Sequence, residues 1–323
     1  MTNSPSVVPS VVFDRSHWGR IRLTGADRMR FLHNQTTNNI QQLSPGQGCN
    51  TVFVTSTGRT IDLATVYVLP ESLLVTVSPG MIQQIYDWMD RYIFFSDKVS
   101  LDNESEETFM FTVVGEDIEV LHQRLGLEAT VGTEAFNHSS VEIAGATCLV
   151  TANSDLGVPG FTIIGPKTIA EALWHSLSQG IAQPGTAEQW ETLRIQQGRP
   201  MPGHELTDDE NPLEAGLWHS ISFEKGCYIG QETIARLNTY KGVKKRLWGF
   251  KLASKLASAV TPGAIIFYEE AKVGKLTSVT ETDAGIVGLG YLRTKVGGEG
   301  LKVTVDGVAA EAIALPFVSH DYY

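Results

Sequence analysis

Residues 246–252 (RLWGFKL), 264–268 (AIIFY), 273–281 (VGKLTSVTE), 285–292 (GIVGLGYL), 301–305 (LKVTV) and 309–315 (AAEAIAL) decide how the C-terminal part of this chain folds. Each run is short, rich in residues that favour strands, and separated from the next by glycines or polar turn residues. Strands this short and evenly spaced predict a small closed β-barrel, because closure removes the edges that open sheets expose. The barrel forms its own domain, residues 241–323, with its boundary near Lys241.

Working outward from the barrel, residues 186–198 (TAEQWETLRIQQG) predict a helix. Thr186 with Gln189 three residues on makes a capping box, and Gly198 suits a left-handed C-terminal cap. Between that helix and the barrel, residues 199–218 are rich in proline and acid without periodicity; loops of this length inside compact domains are usually functional or disordered. Further upstream, residues 21–23 alternate as a strand and lead into 25–34 (GADRMRFLHN), where Met29 and Leu32 share a helical face. Residues 49–69 give two strand-like runs around Ser56–Arg59, and a third follows Pro70. Residues 79–94 place Ile82, Ile85, Met89 and Tyr92 at helical spacing, with Pro79 in a first turn. After Asp97 a second α/β pattern follows, with strands near 109–114 and 148–151, the run FTIIG, and a helix carrying Ile169, Leu173 and Leu177. Residues 1–240 therefore read as an α/β region of two subdomains, roughly 1–115 and 116–240.

A net charge of −11 over 323 residues disfavours a sequence-independent grip on phosphates, so no direct nucleic-acid partner is expected, though a local basic patch is compatible with it. The N-terminus has no cationic start followed by an apolar run, and no eighteen-residue apolar stretch occurs, which predicts a cytoplasmic protein with no membrane partner. Cys49, Cys148 and Cys227 are far apart, with no CxxC pair, so neither a disulfide framework nor a cysteine-rich zinc site is expected. No resident metal and a monomeric state are the corresponding expectations.

Cys227 lies in residues 221–237 (ISFEKGCYIGQETIARL), after Lys225 and Gly226 and before a run able to start a helix. An ammonium and a helix N-terminus both favour thiolate, so a reactive cysteine is physically reasonable; on spacing alone, a buried inert cysteine is the commoner case. Cys49 and Cys148 sit in apolar, strand-like contexts and read as packing. The glycines of KGCYIG are too few and wrongly spaced for a phosphate loop. Glu205, Asp208, Asp209, Glu210 and Glu214 form an acidic cluster that fits a metal, an amidine-like ligand or, most commonly, only a solvated loop. His204 beside it reads as a surface residue; His33, His122, His175 and His219 lack the spacing of zinc catalysis. Asp62, alone among apolar neighbours in its strand, faces either a cavity or solvent.

Residues 225–232 (KGCYIGQE), with Ala235 and Arg236 downstream, resemble the signature of the YgfZ-type folate-binding family. Residues 193–217 (LRIQQGRPMPGHELTDDENPLEAGL) and 23–48, the Gly58–Arg59 hairpin and the C-terminal barrel resemble, in order, the glycine-cleavage T-proteins, the aminomethyltransferases. The resemblance implies an α+β fold, a three-part ring of two interleaved α/β subdomains and a β-barrel, around a central hole that takes tetrahydrofolate or a one-carbon derivative. It implies Asp208 as the acid that holds the pterin, with Glu205 and Glu214 as alternates, Arg194 as a cation lining the ring, and Asp62 as a further cofactor-side acid. The motif residues Lys225, Gly226, Tyr228, Gly230, Gln231 and Glu232 would frame Cys227 as the acting thiol.

Two departures bear on function. T-proteins tend to carry two adjacent acids where this chain has Asp62–Leu63, and an acid followed by Phe where it has Cys227–Tyr228. A thiol thus stands where the one-carbon chemistry loses a carboxylate. The resemblance implies a tetrahydrofolate-binding accessory protein that supports assembly, repair or maintenance of iron–sulfur clusters in client enzymes, tRNA-modifying enzymes among them. The second reading is a folate-dependent aminomethyltransferase or demethylase in which Asp62 steadies an iminium-like carbon.

Overall fold

The computed structural model of the chain describes residues 10–115, 134–179, 182–253 and 260–322. Two compact units share the chain. The first comprises Met1–Arg28, Gln42–Cys49 and Thr65–Trp190, the second Met29–Gln41, Asn50–Ala64 and Glu191–Tyr323.

In the first unit a six-stranded sheet runs in the order Gln183–Pro184, Val11–Asp14, Thr108–Val114, Gly160–Pro166, Ala146–Thr151, His138–Ile143. Its core joins Phe109, Phe111, Cys148, Val150, Phe161 and Ile163 to Leu173 and Leu177 of the helix Ala170–Ser178. Cys148 is therefore packing, as its apolar context predicts, and burial followed by the charge of Glu142 pushes its thiol up to about 11. A five-stranded sheet runs Gly48–Val54, Thr60–Val68, Leu73–Val77, Gly19–Thr24, Ser100–Asn103, and the chain in its first two strands contributes residues to both units. The helix Ile82–Arg91 buries Ile85 and Met89 as its spacing predicts, but it starts after Pro79 and Gly80. Gly80 has φ of 79° and breaks the chain away from helical geometry, so Pro79 lies outside the first turn.

The second unit contains the predicted barrel, closed in the order Lys245–Leu252, Gly285–Arg293, Ala271–Thr282, Ile265–Tyr268, Lys302–Val305, Val308–Ile313. Phe250, Ile266, Leu276, Leu292 and Val305 fill its interior. The helix Ala187–Gln197 opens with the capping box read from sequence: the Thr186 amide donates to Gln189 Oε1, and the Gln189 amide donates to Thr186 Oγ1. It closes with Gly198 at φ 83°, where the Arg199 amide reaches back to the Arg194 carbonyl at 3.0 Å.

Residues 199–218 are not a solvated loop. Glu205, Leu206 and every residue from 210 to 218 are buried, and the segment is folded on itself by tight turns such as Leu206 to Met201 and Ala215 to Asn211. Leu206, Leu213, Ala215, Leu217 and Trp218 pack with Val52, Val54, Tyr228 and Ile234 in one apolar cluster. Burial of that surface, at roughly 25 cal/mol per Å² of apolar area, explains why an acid-rich segment stays ordered.

Candidate functional site

The helix Arg28–Gln35, here α1, ends in carbonyls that no further helical turn can satisfy. Lys225, distant in sequence and buried, supplies what they need. Its ammonium donates to the carbonyls of His33 at 2.5 Å, Thr36 at 2.6 Å and Asn38 at 2.6 Å. Three donors meet three acceptors, and a cation sits at the negative end of the helix. The same ammonium lies 4.8 Å from the centre of the Tyr228 ring. Around this anchor the Ser222 amide donates to Thr37 O, the Ile229 amide to Asn34 O, and Thr37 Oγ1 to Ser220 O.

Gly230 closes the segment. Its φ of 81° is left-handed, and a Cβ there would lie 2.6 Å from Thr55 O and 3.1 Å from Gly58 Cα. Gly58, at φ 73°, in turn faces Thr233. The Gly58 hairpin and the motif glycine thus meet backbone to backbone, and only glycine allows that approach. The second helix of the site, Gln231–Thr239, starts directly after Gly230.

Between these two fixings Cys227 is exposed, flanked by exposed Gly226 and buried Tyr228. The electrostatic setting differs from the one expected of the sequence. Lys225 spends its ammonium on backbone carbonyls, and the helix that follows begins only at Gln231, with Gly230 as its N-cap; the field of a helix end falls off within about its first turn. Gln231 is half-buried and Glu232 exposed.

His33, which the sequence left without a role, lies beside this segment. It is buried on α1, its Nδ1 accepts the Gln41 amide at 3.4 Å, and its Nε2 is 4.0 Å from where a Cβ on Gly226 would stand. Burial, then the charge of Lys225, lowers its pKa to about 4, so the ring is neutral near pH 7 with its proton on Nε2. Nothing in sequence links residues 33 and 226. Of the other histidines, His175, His204 and His219 are exposed, and His122 lies outside the described residues.

The residues assigned to the cofactor separate into three environments. Arg194 and Glu205 are both fully buried and hold each other, Nη1 to Oε2 at 2.8 Å. Arg194 also donates to both carboxylate oxygens of Glu191, to Arg199 O and to Ser278 Oγ. Glu205 accepts further bonds from the Met201 amide, Thr277 Oγ1 and Ser278 Oγ. Thr277 and Ser278 are consecutive and would ordinarily point to opposite faces of a strand; a register shift between Leu276 and Ser278 lets both hydroxyls reach Glu205 Oε1.

Asp208 and Asp209 are exposed. Glu214 is buried, with Oε2 accepting the Asn211 amide at 3.2 Å. Burial raises its pKa, against the opposing effects of Lys245, the Asn211 amide and Arg59. Glu210 nearby is engaged by Lys245 at 2.6 Å and by the Thr207 hydroxyl. Asp62 is 0 % exposed in the wholly buried strand Thr60–Val68, which removes the solvent-facing alternative.

Comparison with known proteins agrees with this architecture. Residues 8–225 match the GCVT N-terminal domain, a match that ends two residues before Cys227. A chloroplastic "putative transferase" of Arabidopsis thaliana is 42% identical over 97% of this chain and 72% of its own length. An aminomethyltransferase of Caldanaerobacter subterraneus is 32% identical over 75% of this chain and 66% of its own. The glycine cleavage system aminomethyltransferase T of Bartonella henselae superposes with a TM-score of 0.83 at 20% identity, covering 98% of this chain and 89% of that one. That likeness establishes the T-protein fold, closed C-terminal barrel included. No helix among the described residues is long and apolar enough to cross a membrane.

Proposed function

The chain belongs to the GCVT N-terminal domain family, and from that premise we propose that it binds tetrahydrofolate and supports iron–sulfur clusters in client enzymes through Cys227. One observation carries this reading. The only exposed cysteine of the three sits on a segment held at both ends, by Lys225 on three carbonyls and by Gly230 on the Gly58 turn. Such a mounting presents a thiol to a macromolecular partner without letting it retract into the core.

For the folate, the residues differ in fitness. Glu205 and Arg194 already satisfy each other and their neighbours, so neither has much hydrogen-bonding capacity to offer. Glu214 fits better: one oxygen takes a single amide, and its raised pKa marks a carboxylate short of compensating donors, which a pterin's amidine-like edge supplies. Asp208 is the exposed alternative. Tetrahydrofolate, when bound, supplies one-carbon carrying capacity; the protein's part is to orient the ring against such an acid and an apolar wall.

The second reading, a folate-dependent aminomethyltransferase or demethylase, is favoured by the names of the relatives and by Asp62. Full burial of Asp62 weighs against it, since an acid that steadies a reacting carbon must meet the substrate. The division of the chain into a folate-binding region 1–240 and a barrel 241–323 stays part of the proposal, as does action on cluster-assembly proteins or client enzymes by a cytoplasmic monomer.

Expression of the wild type and Cys227→Ala in a bacterium lacking its YgfZ protein, with an iron–sulfur tRNA-modifying enzyme as readout, tests the proposal. Rescue by the wild type alone is expected. Equal rescue by both would remove Cys227 from the function, and glycine-cleavage activity with a lipoyl carrier protein, without rescue, would establish the second reading.

A further inference from the structure

At the far end of the helix Gln231–Thr239, a cleft of about 410 Å³ opens beside the barrel, lined among others by Lys241, Arg246, Trp248, Gly298, Glu299 and Tyr322. Neither Lys241 nor Arg246 forms an ion pair with an acid among the described residues. Arg246 lies 5.4 Å and Lys241 6.0 Å from the centre of the Tyr322 ring. That ring is itself fixed, its hydroxyl accepting the Val243 amide at 3.3 Å and its edge packed on Trp218 at 5.0 Å. Gly298 lies flat on Trp248, where a Cβ would approach the indole to 2.2 Å.

Two nitrogens of this wall are shielded from water and donate to no group among the described residues: Nε of Arg246 and Nε1 of Trp248. Both are covered, so neither is offered to the cleft, and its cationic heads are what an anion meets there. The acid on the wall, Glu299, is exposed and forms no ion pair with either cation among the described residues. His320, whose ring stands 4.5 Å from Trp248, has its pKa lowered to about 4 by burial and then by Arg246, so it adds no charge near pH 7.

Lys241 contributes a third observation. It occupies the left-handed position after the helix, φ 50°, where glycine is favoured, and the Gly242 amide reaches back to Leu237 O at 2.8 Å. Glycine adopts that conformation without strain. Guanidinium and ammonium together beside the Tyr322 ring suit an oxyanion; the guanidinium fork matches a carboxylate or phosphate through two parallel bonds. The volume is that of a small-molecule pocket, and a protein of net charge −11 is ill suited to a polyanion.

We propose that the cleft of Lys241, Arg246 and Trp248 is a second binding site, separate from the thiol segment, for a small molecule carrying a carboxylate or phosphate group. The test titrates the full chain with inorganic phosphate, phenyl phosphate and benzoate at constant ionic strength, following the indole N–H resonance of Trp248, assigned with Trp248→Phe. A saturable shift is expected, weakened at least about tenfold by Arg246→Gln through loss of the bidentate pair. Lys241→Gly removes the ammonium and relieves the left-handed backbone, so it is expected to weaken binding about threefold or more while melting no lower than the wild type. Lys295→Gln, outside the cleft, is expected to leave binding unchanged. Tighter binding of phenyl phosphate names a phosphate, tighter binding of benzoate a carboxylate, and either supports the site. Shifts that fail to saturate, equal affinity in a folded Arg246→Gln, or undiminished affinity in Lys241→Gly would overturn it.

Discussion

Two regions of the second unit each use a buried cation, to opposite ends. Around Arg194 and Glu205, side chains satisfy side chains: Glu191, Thr277 and Ser278 close on the ion pair, whose two members are both fully buried. Around Lys225, a side chain satisfies backbone: the carbonyls of His33 in the last turn of α1 and of Thr36 and Asn38 just beyond it take the ammonium, and the residue two places on is left exposed. The first arrangement spends its functional groups on cohesion. The second spends one lysine and one glycine to present a thiol. A polar residue near a candidate site therefore signals function less by its type than by whether its bonding capacity is already used.

The contrast can be broken at its strongest point first. Glu205→Leu takes from the Arg194 guanidinium the fully buried one of its two carboxylate partners, leaving Glu191, and is expected to destabilise the chain by about 3–5 kcal/mol in chemical denaturation. A loss under about 1 kcal/mol would show the pair to be dispensable and free for a ligand. Lys225→Met keeps the apolar stem but strands three carbonyls, with an expected loss of about 2–4 kcal/mol and a rise in hydrogen exchange at the end of α1. Unchanged exchange there would mean that water replaces the ammonium at no loss.

Gly230→Ala, which drives a Cβ to 2.6 Å from Thr55 O in a left-handed conformation, is expected to lose about 1–3 kcal/mol and to impair the function of Cys227 although the thiol is intact. Full function with that loss would separate the mounting from the chemistry. His33 gives a pH test: with its folded pKa near 4 below the unfolded value of 6.5, the unfolded chain takes up the proton first. Its contribution is complete above about pH 6.5 and is lost as pH falls toward 4, so His33→Gln is expected to flatten the melting temperature across that window. The smallest stability change belongs to Cys227→Ala, expected within about 0.5 kcal/mol because the side chain is exposed, while cluster rescue is abolished. A large loss of stability would place Cys227 with the cohesive region.

Much of the fold was legible in local pattern. The capping box at Thr186, the left-handed glycine at Gly198 and the six barrel strands are set by residues within a few positions of one another, and all appear where the spacing predicts. The acidic segment 199–218 was misleading because its apolar residues have no period: Leu206, Leu213, Leu217 and Trp218 are buried by turns, not by one face of a regular element. The candidate site was legible only as a motif. That Lys225 serves α1 and leaves Cys227 outward depends on carbonyls nearly two hundred residues earlier, and sequence spacing carries no trace of that meeting.

By itself, then, the sequence determined where the chain turns, which faces are apolar, which cysteine has unusual neighbours and which family the chain resembles, since each depends on short-range sterics or on a contiguous motif. The tertiary structure alone decided which acids are already paired, that Asp62 is buried, that His33 is neutral beside the thiol segment, and that Gly58 and Gly230 touch. The physical reason is common to all four. Desolvation and hydrogen-bond satisfaction are properties of a neighbourhood in space, and that neighbourhood is assembled from residues that only folding brings together.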